Sequence, residues 1–312
     1  MPSEYTGGAG GNMRYTTIAS GSSGNCSYIE GNDTRILVDA GLTGKQVEKG
    51  LSAVGVDPKR IDAVVVTHEH IDHVRGVGVL ARRYKLPVYA TEGTWEGMAG
   101  CIGKVPEEQV RVVDSDCKIA IKDVDVEIFP TPHDARQSIG ITVSDGEKRV
   151  GLATDAGYVT RGMGRRLMGC EGLIFEANHD PHMLQYGPYP PHLKRRIASE
   201  KGHLSNPVCG EALAKLCDSG TRQIILAHLS AENNNPHVAL QTVESILTER
   251  GHEVELTAAD IPAVVGLENV RTVAEQCCLR WPGVPDKEPQ KPRERIRLAV
   301  APRYEAHRLE EI

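Results

Sequence analysis

The apolar run Ile61-Asp62-Ala63-Val64-Val65-Val66 leads straight into Thr67-His68-Glu69-His70-Ile71-Asp72-His73, and this junction constrains the chain more than any other. Residues 63–66 have the continuous apolar pattern of a buried strand. Three imidazoles and a carboxylate crowd the residues that follow. Imidazole suits Zn, Mn and Fe, and a carboxylate in the same knot lets a second cation sit beside the first. A polar loop whose histidines only form hydrogen bonds is the bland alternative. The spacing His-x-His-x-Asp-His favours the metal reading.

The chain has 312 residues, enough for one large domain or two ordinary ones. It is 40% hydrophobic and 25% charged, a globular composition. Its net charge of −6 provides no global field for nucleic acid, so any polyanion must meet local patches. No segment reaches the roughly 18 apolar residues a spanning helix needs, and no membrane partner is expected. Residues 1–12 are Gly-rich without an apolar signal core, and are expected to be a disordered lead-in to a cytoplasmic protein. The eight cysteines form no Cys-x-x-Cys pair, which argues against a structural zinc ribbon and for reduced thiols.

The first half reads as short strands and turns at 15–19, 27–30 and 35–38. A helix is expected over 43–54, capped by Thr43, and another over 73–84. Strands follow near 87–89, 110–113 and 124–129, and Asp145-Gly146 marks a hairpin between 139–143 and 149–153. The second half repeats a strand–site–helix rhythm: strands at 172–175 and 223–227, helices at 191–200, 206–218 and 236–250. The sum is an α/β fold of two face-to-face sheets with helices outside. Residues 13–275 form the expected catalytic domain. Residues 276–312, with their Pro, Lys and Arg, are expected to be a mostly extended tail.

Four further candidate ligands each follow an apolar run: Asp39 after Ile36-Leu37-Val38, His133 after 126–132, Asp155 after 150–154, and His228 after Ile224-Ile225-Leu226-Ala227. Strand ends on one sheet edge converge, so these side chains can reach one point.

The order His68-x-His70-x-Asp72-His73, His133, Asp155, His228 resembles the metallo-β-lactamase fold, over about residues 13–269. Ala19-Ser20-Gly21-Ser22-Ser23-Gly24-Asn25, Glu176-Ala177-Asn178-His179-Asp180, Gly202-His203-Leu204-Ser205-Asn206 and the run from Ala227 to Asn234 resemble the YycJ/VicX (WalJ) branch, kin to tRNase Z and RNase J. The resemblance implies a four-layered αββα sandwich. It assigns His68, His70 and His133 to one metal, Asp72, His73 and His228 to the other, and Asp155 to both. The lactamases of this fold use a cysteine ligand; here Asp155 holds the corresponding strand end, which argues against lactam hydrolysis.

The resemblance also implies a two-metal phosphodiesterase, most simply a 5′-to-3′ exonuclease on DNA, with RNA as a second possible partner. Two divalent ions, Zn or Mn with Fe as a third choice, sit about 3.5–4 Å apart in such sites and share a bridging hydroxide. Asp39 is expected to orient a histidine ligand. The candidate catalytic residues are Asp72, His203 and Glu176. His203 would contact the scissile phosphate with Glu176 as partner; alternatively it caps the following helix. Ser22 and Asn25 belong either to an anion-binding loop or to an ordinary tight turn. Lys194 and Arg195 belong either to a nucleic-acid contact or to a charged helix face, and Asn206 completes the candidate substrate-binding set. The stretch from Asp155 to His203 is too short for an inserted domain of roughly 100–200 residues, so an open site is expected. A small-molecule metallohydrolase for a cyclic phosphodiester, thioester or lactone is the alternative. The sequence does not decide the oligomeric state.

Overall fold

A computed structural model describes residues 13–256, 265–266 and 295–302. The chain begins with β1 (Arg14–Ala19), β2 (Cys26–Gly31) and β3 (Thr34–Val38), then α1 (Gly44–Ala53), β4 (Ala63–Val65), α2 (Ile71–Val74), α3 (Val77–Tyr84), β5 (Val88–Thr91), α4 (Glu92–Met98) and β6 (Val110–Val113). It continues through β7 (Cys117–Ile121), β8 (Val124–Pro130), β9 (Ile139–Ser144), β10 (Arg149–Ala153), α5 (Arg161–Leu167), β11 (Gly172–Glu176), α6 (Pro181–Tyr186) and α7 (Pro191–Ile197). Last come α8 (Asn206–Asp218), β12 (Gln223–Ala227), α9 (Pro236–Glu249), β13 (Val254–Leu256), β14 (Val265–Gly266) and β15 (Ile296–Val300).

These strands form two sheets, ordered β14-β1-β2-β3-β4-β5-β6 and β13-β15-β12-β11-β10-β9-β8-β7. Alternation along each strand sorts side chains between layers. Ala63 and Val65 of β4 meet Val126, Ile141, Ile174 and Ile225 of the opposite sheet. Val64 and Val66 point the other way, onto Val47 and Leu51 of α1 and Leu80 of α3. On the second sheet Leu173, Phe175, Ile224 and Leu226 face Leu167 of α5, Leu213 of α8 and Val243 of α9. The result is the expected αββα sandwich, with one core between the sheets and one under each helical layer.

Three expectations need correction. The helix over 73–84 is interrupted: Gly76 N donates to Ala40 O at 2.7 Å, and a Cβ there would lie 2.4 Å from Leu42 O, so the chain turns closely against the β3–α1 loop. The strand β7 lies outside the expected strands; it is the half-exposed edge of its sheet, and its short run Cys117-Lys118-Ile119-Ala120-Ile121 pairs only with β8 among the described residues. The segment expected to be a tail contains β15, which inserts in parallel between β12 and β13. Ile296, Leu298 and Val300 are buried in the core under α8 and α9. Residues 1–12 and the vicinal Cys277-Cys278 pair lie outside the described residues. No helix among the described residues is long and apolar enough to cross a membrane.

Candidate functional site

In the first sheet β3 and β4 are parallel; in the second β10, β11 and β12 are parallel, and β8 runs in the same sense through two antiparallel steps. Asp39, His68, His133, Asp155, Glu176 and His228 lie at or just past the ends of these six strands. Asp39, Asp155 and His228 have left-handed backbones, with φ of 62°, 58° and 56°. That conformation is uncommon outside glycine, is best tolerated by short polar residues and histidine, and clusters at functional sites.

Ligand-capable atoms converge in overlapping groups within 4.8 Å: His68, His70 and His133; Asp72, His73 and His228; His68, His73 and Asp155; and Asp155, Glu176, His203 and His228. Asp155 Oδ2 lies 3.5 Å from His73 Nε2. Its Oδ1 lies 3.4 Å from His228 Nε2 and 3.7 Å from His133 Nε2. Asp155 therefore faces both halves of the cluster. His133 Nε2, His228 Nε2 and Asp155 Oδ2 are buried without a hydrogen-bond partner. Buried polar atoms are nearly always partnered, so orphaned nitrogens and oxygen facing one centre fit divalent cations. No cysteine joins these groups among the described residues.

The protein orients these ligands by hydrogen bonds. Asp39 Oδ2 accepts from His73 Nδ1 at 2.8 Å and from Thr67 Oγ1 at 2.8 Å, while Oδ1 accepts from Thr67 N at 2.8 Å. This leaves His73 Nε2 toward Asp72 and Asp155. His133 Nδ1 donates to Gly202 O at 3.2 Å, and His228 N donates to Ser20 Oγ at 2.7 Å. The fully buried Glu176 accepts from His203 Nδ1 at 2.7 Å and from His228 Nδ1 at 3.2 Å. Its other oxygen accepts from the backbone of Ala156 and Leu204.

Charge divides the site. Burial, reinforced by neighbouring imidazoles, pulls His68 well down. Burial also pulls His73 down, but Asp39 and Asp155 outweigh it and push it up to about 9. Burial opposes ionisation of Glu176, yet the charges and hydrogen bonds of His203 and His228 hold it well below the usual carboxylate range.

The substrate-binding candidates fare differently. Ser22 is exposed on the β1–β2 loop. Asn25 is buried: its Oδ1 accepts from Gly21 N at 2.8 Å, and its Nδ2 reaches His73 Nε2 at 3.0 Å and Asp72 Oδ2 at 3.4 Å. It braces the cluster. Lys194 Nζ donates to Gln185 O in the last turn of α6 at 2.8 Å, and Arg195 is exposed with no contact to the cluster. Asn206 is fully buried in a reciprocal amide pair with Asn234, at 3.0 and 2.9 Å, which removes it from any surface role. Glu69 belongs to no ligand group; its Oε1 accepts from Arg136 N at 2.8 Å. Asp134 and Asn178 have no role in the expectations from sequence, and His179 is left unassigned there. Asp134 Oδ1 lies 3.4 Å from His133 Nε2, and Asn178 Nδ2 donates to His228 O at 2.8 Å. For Asp134 the signal was its place directly after His133.

Residues 34–229 match the beta-lactamase superfamily domain. The chain belongs to the beta-lactamase superfamily. Among its curated relatives, exodeoxyribonuclease YycJ of Bacillus anthracis is 38% identical over 242 residues, covering 78% of this chain and 92% of YycJ. Exodeoxyribonuclease WalJ of Streptococcus pneumoniae is 40% identical over 239 residues, covering 76% of this chain and 89% of WalJ. Among solved structures, the metallo-beta-lactamase fold protein YhfI from Bacillus subtilis superposes with a TM-score of 0.61 at 17% identity, over 76% of this chain and 94% of YhfI. That likeness is one of fold. Superfamily membership agrees with the two-sheet architecture and with a polar cluster at one edge.

Proposed function

We propose that this protein is a two-metal phosphodiesterase that degrades DNA, an exonuclease of 5′-to-3′ polarity. The observation that carries the reading is the His203–Glu176 pair, 2.7 Å apart and adjoining a cluster of seven ligand-type side chains that Asp155 spans. The sugar oxygen that leaves a phosphodiester needs a proton, and this pair adjoins the cluster where such a proton would be supplied. The relatives named exodeoxyribonuclease, which this chain matches over most of their length, support the same conclusion.

His68, His70 and His133 would hold one ion, Asp72, His73 and His228 the other, and Asp155 both. Bound divalent ions, Zn or Mn by donor type with Fe as a third choice, supply a lowered water pKa and neutralise phosphate charge. The chain's own groups do the rest. Asp39 fixes the His73 tautomer by taking its Nδ1 proton in a hydrogen bond. Asn25 holds Asp72 and His73 together from the β1–β2 loop. Glu176 takes the Nδ1–H of His203, so Nε2 is the atom left to exchange a proton with the departing oxygen.

The decisive experiment combines metal analysis with end-labelled duplex DNA, single-stranded DNA and RNA. Metal-dependent loss of duplex label, released from the 5′ end, is the expected result. Metal-loaded protein that leaves every nucleic acid intact yet hydrolyses bis-p-nitrophenyl phosphate would replace this reading with a small-molecule hydrolase.

A further inference from the structure

We propose that Arg196 binds a non-bridging oxygen of the substrate phosphodiester, with Asp134 as the residue that aims it; this rests on the phosphodiesterase reading above. Asp134 directly follows His133, and its Oδ1 lies 3.4 Å from His133 Nε2. Its Oδ2 accepts from Arg196 Nε. The same loop is tied to the end of the α7 turn by Asp134 N donating to Lys201 O at 3.1 Å. Arg196, in the last turn of α7, and His203 flank one closed loop. His203 N donates to Ile197 O at 3.0 Å, and a Cβ on Gly202 would lie 2.4 Å from Arg196 O, so the backbones press together.

The use made of the guanidinium matters most. Asp134 engages Nε, while Nη1 and Nη2 have no partner among the described residues, and the side chain is 55% exposed. Arg83, Arg136 and Arg149 instead spend an Nη nitrogen on a carboxylate, and Arg166 uses both Nε and Nη2. Arg295 repeats the Nε mode on Glu253, so the mode counts at Arg196 because Asp134 sets it beside His133. A guanidinium held at Nε presents its remaining fork in a fixed plane, the geometry that matches phosphate oxygens. In a chain of net charge −6, a polyanion needs such a local cation at the cluster. Of the residues from 194 to 196, the structure assigns the role to Arg196 and not to Lys194 or Arg195.

The test compares metal-loaded wild type with Arg196→Ala, Arg196→Lys and Asp134→Asn, and with Lys118→Ala, which removes a comparable surface pair with Asp125. On labelled duplex DNA, Arg196→Ala should raise KM by about ten- to a hundredfold with kcat largely kept. The slope of log binding against log salt should fall by about one. Arg196→Lys should recover part of the loss, and Asp134→Asn should share it. Lys118→Ala should match wild type. A salt slope and KM for Arg196→Ala equal to those of Lys118→Ala overturn the proposal, as does a loss confined to kcat or thermal stability. Inorganic phosphate binding to the metal-loaded protein, measured by calorimetry, separates the two readings. If wild type cleaves no nucleic acid but Arg196→Ala weakens phosphate binding about tenfold, the nuclease reading fails and the Arg196 assignment stands. Unchanged phosphate affinity overturns the assignment whatever the nuclease result.

Discussion

His73, His133 and His228 are each held at Nδ1 from behind, and single substitutions should separate holding from chemistry. Asp155→Asn weakens the one carboxylate that faces both halves of the cluster, so bound metal measured by plasma emission and nuclease activity should fall together. Glu176→Gln and His203→Gln should instead keep metal content while lowering kcat by about a hundred- to ten-thousandfold. Loss of metal in either would show that the pair is structural. Burial holds His179 down to about 4, with His203 adding to the lowering and Glu176 and Asp180 opposing it. The unfolded chain, with its histidine near 6.5, then takes up the proton first. The stability that neutral His179 contributes is therefore complete above that value and is lost as pH falls toward 4. His179→Gln should flatten the urea-midpoint curve across this window, and a variant with the wild-type slope would refute the assignment. The ligand candidates were legible because they lie past the ends of apolar strands. The burial of Asn25 and Asn206 was not legible, because a polar side chain near a motif looks the same in sequence whether exposed or buried.

At the level of elements, local signals worked where the element is decided locally. Thr43 and Gln46 form the capping box that starts α1, with Thr43 N donating to Gln46 Oε1 at 2.9 Å. β15 is decided by partners far away in sequence. Its alternation over Ile296-Arg297-Leu298-Ala299-Val300 was present, but the surrounding Pro, Lys and Arg outweighed it. Leu298 is fully buried, so Leu298→Ala should cost about 2–5 kcal/mol in denaturant unfolding. A chain ending at residue 275 should fail to give a cooperative transition, because β12 and β13 lose the strand between them. Cooperative unfolding of that shortened chain would return this segment to the status of a tail.

For the molecule as a whole, the cluster joins the two sheets. His68, His70, Asp72 and His73 come from the first, and His133, Asp155 and His228 from the second. Direct bonds cross at the same edge: Ile139 N donates to Thr67 O at 3.1 Å, and Ser20 N to Pro302 O at 2.9 Å. Removing metal should therefore loosen both sheets at once. Chelated protein should unfold at a lower temperature, in one transition, and recover on adding back the divalent ion. An ion at a hundred times its Kd contributes about 2.7 kcal/mol for one site. An unchanged Tm after complete chelation would mean that the cluster contributes nothing to joining the sheets.

The sequence by itself determined the layered α/β class, the seven ligand candidates and Asp39 as an orienting group. Strand periodicity and the residue types at strand ends are local and survive in one dimension. Tertiary structure alone decided which polar residues reach the cluster, that Arg196 points its guanidinium at Asp134 beside it, and that β15 belongs to the second sheet. Those outcomes depend on burial and on pairing between segments far apart in the chain, where a residue's neighbours in sequence carry no record of its neighbours in space. The motif His68-x-His70-x-Asp72-His73 carries a metal-ligand pattern in sequence; only the meeting of the two sheets sets Glu176 and His203 against it.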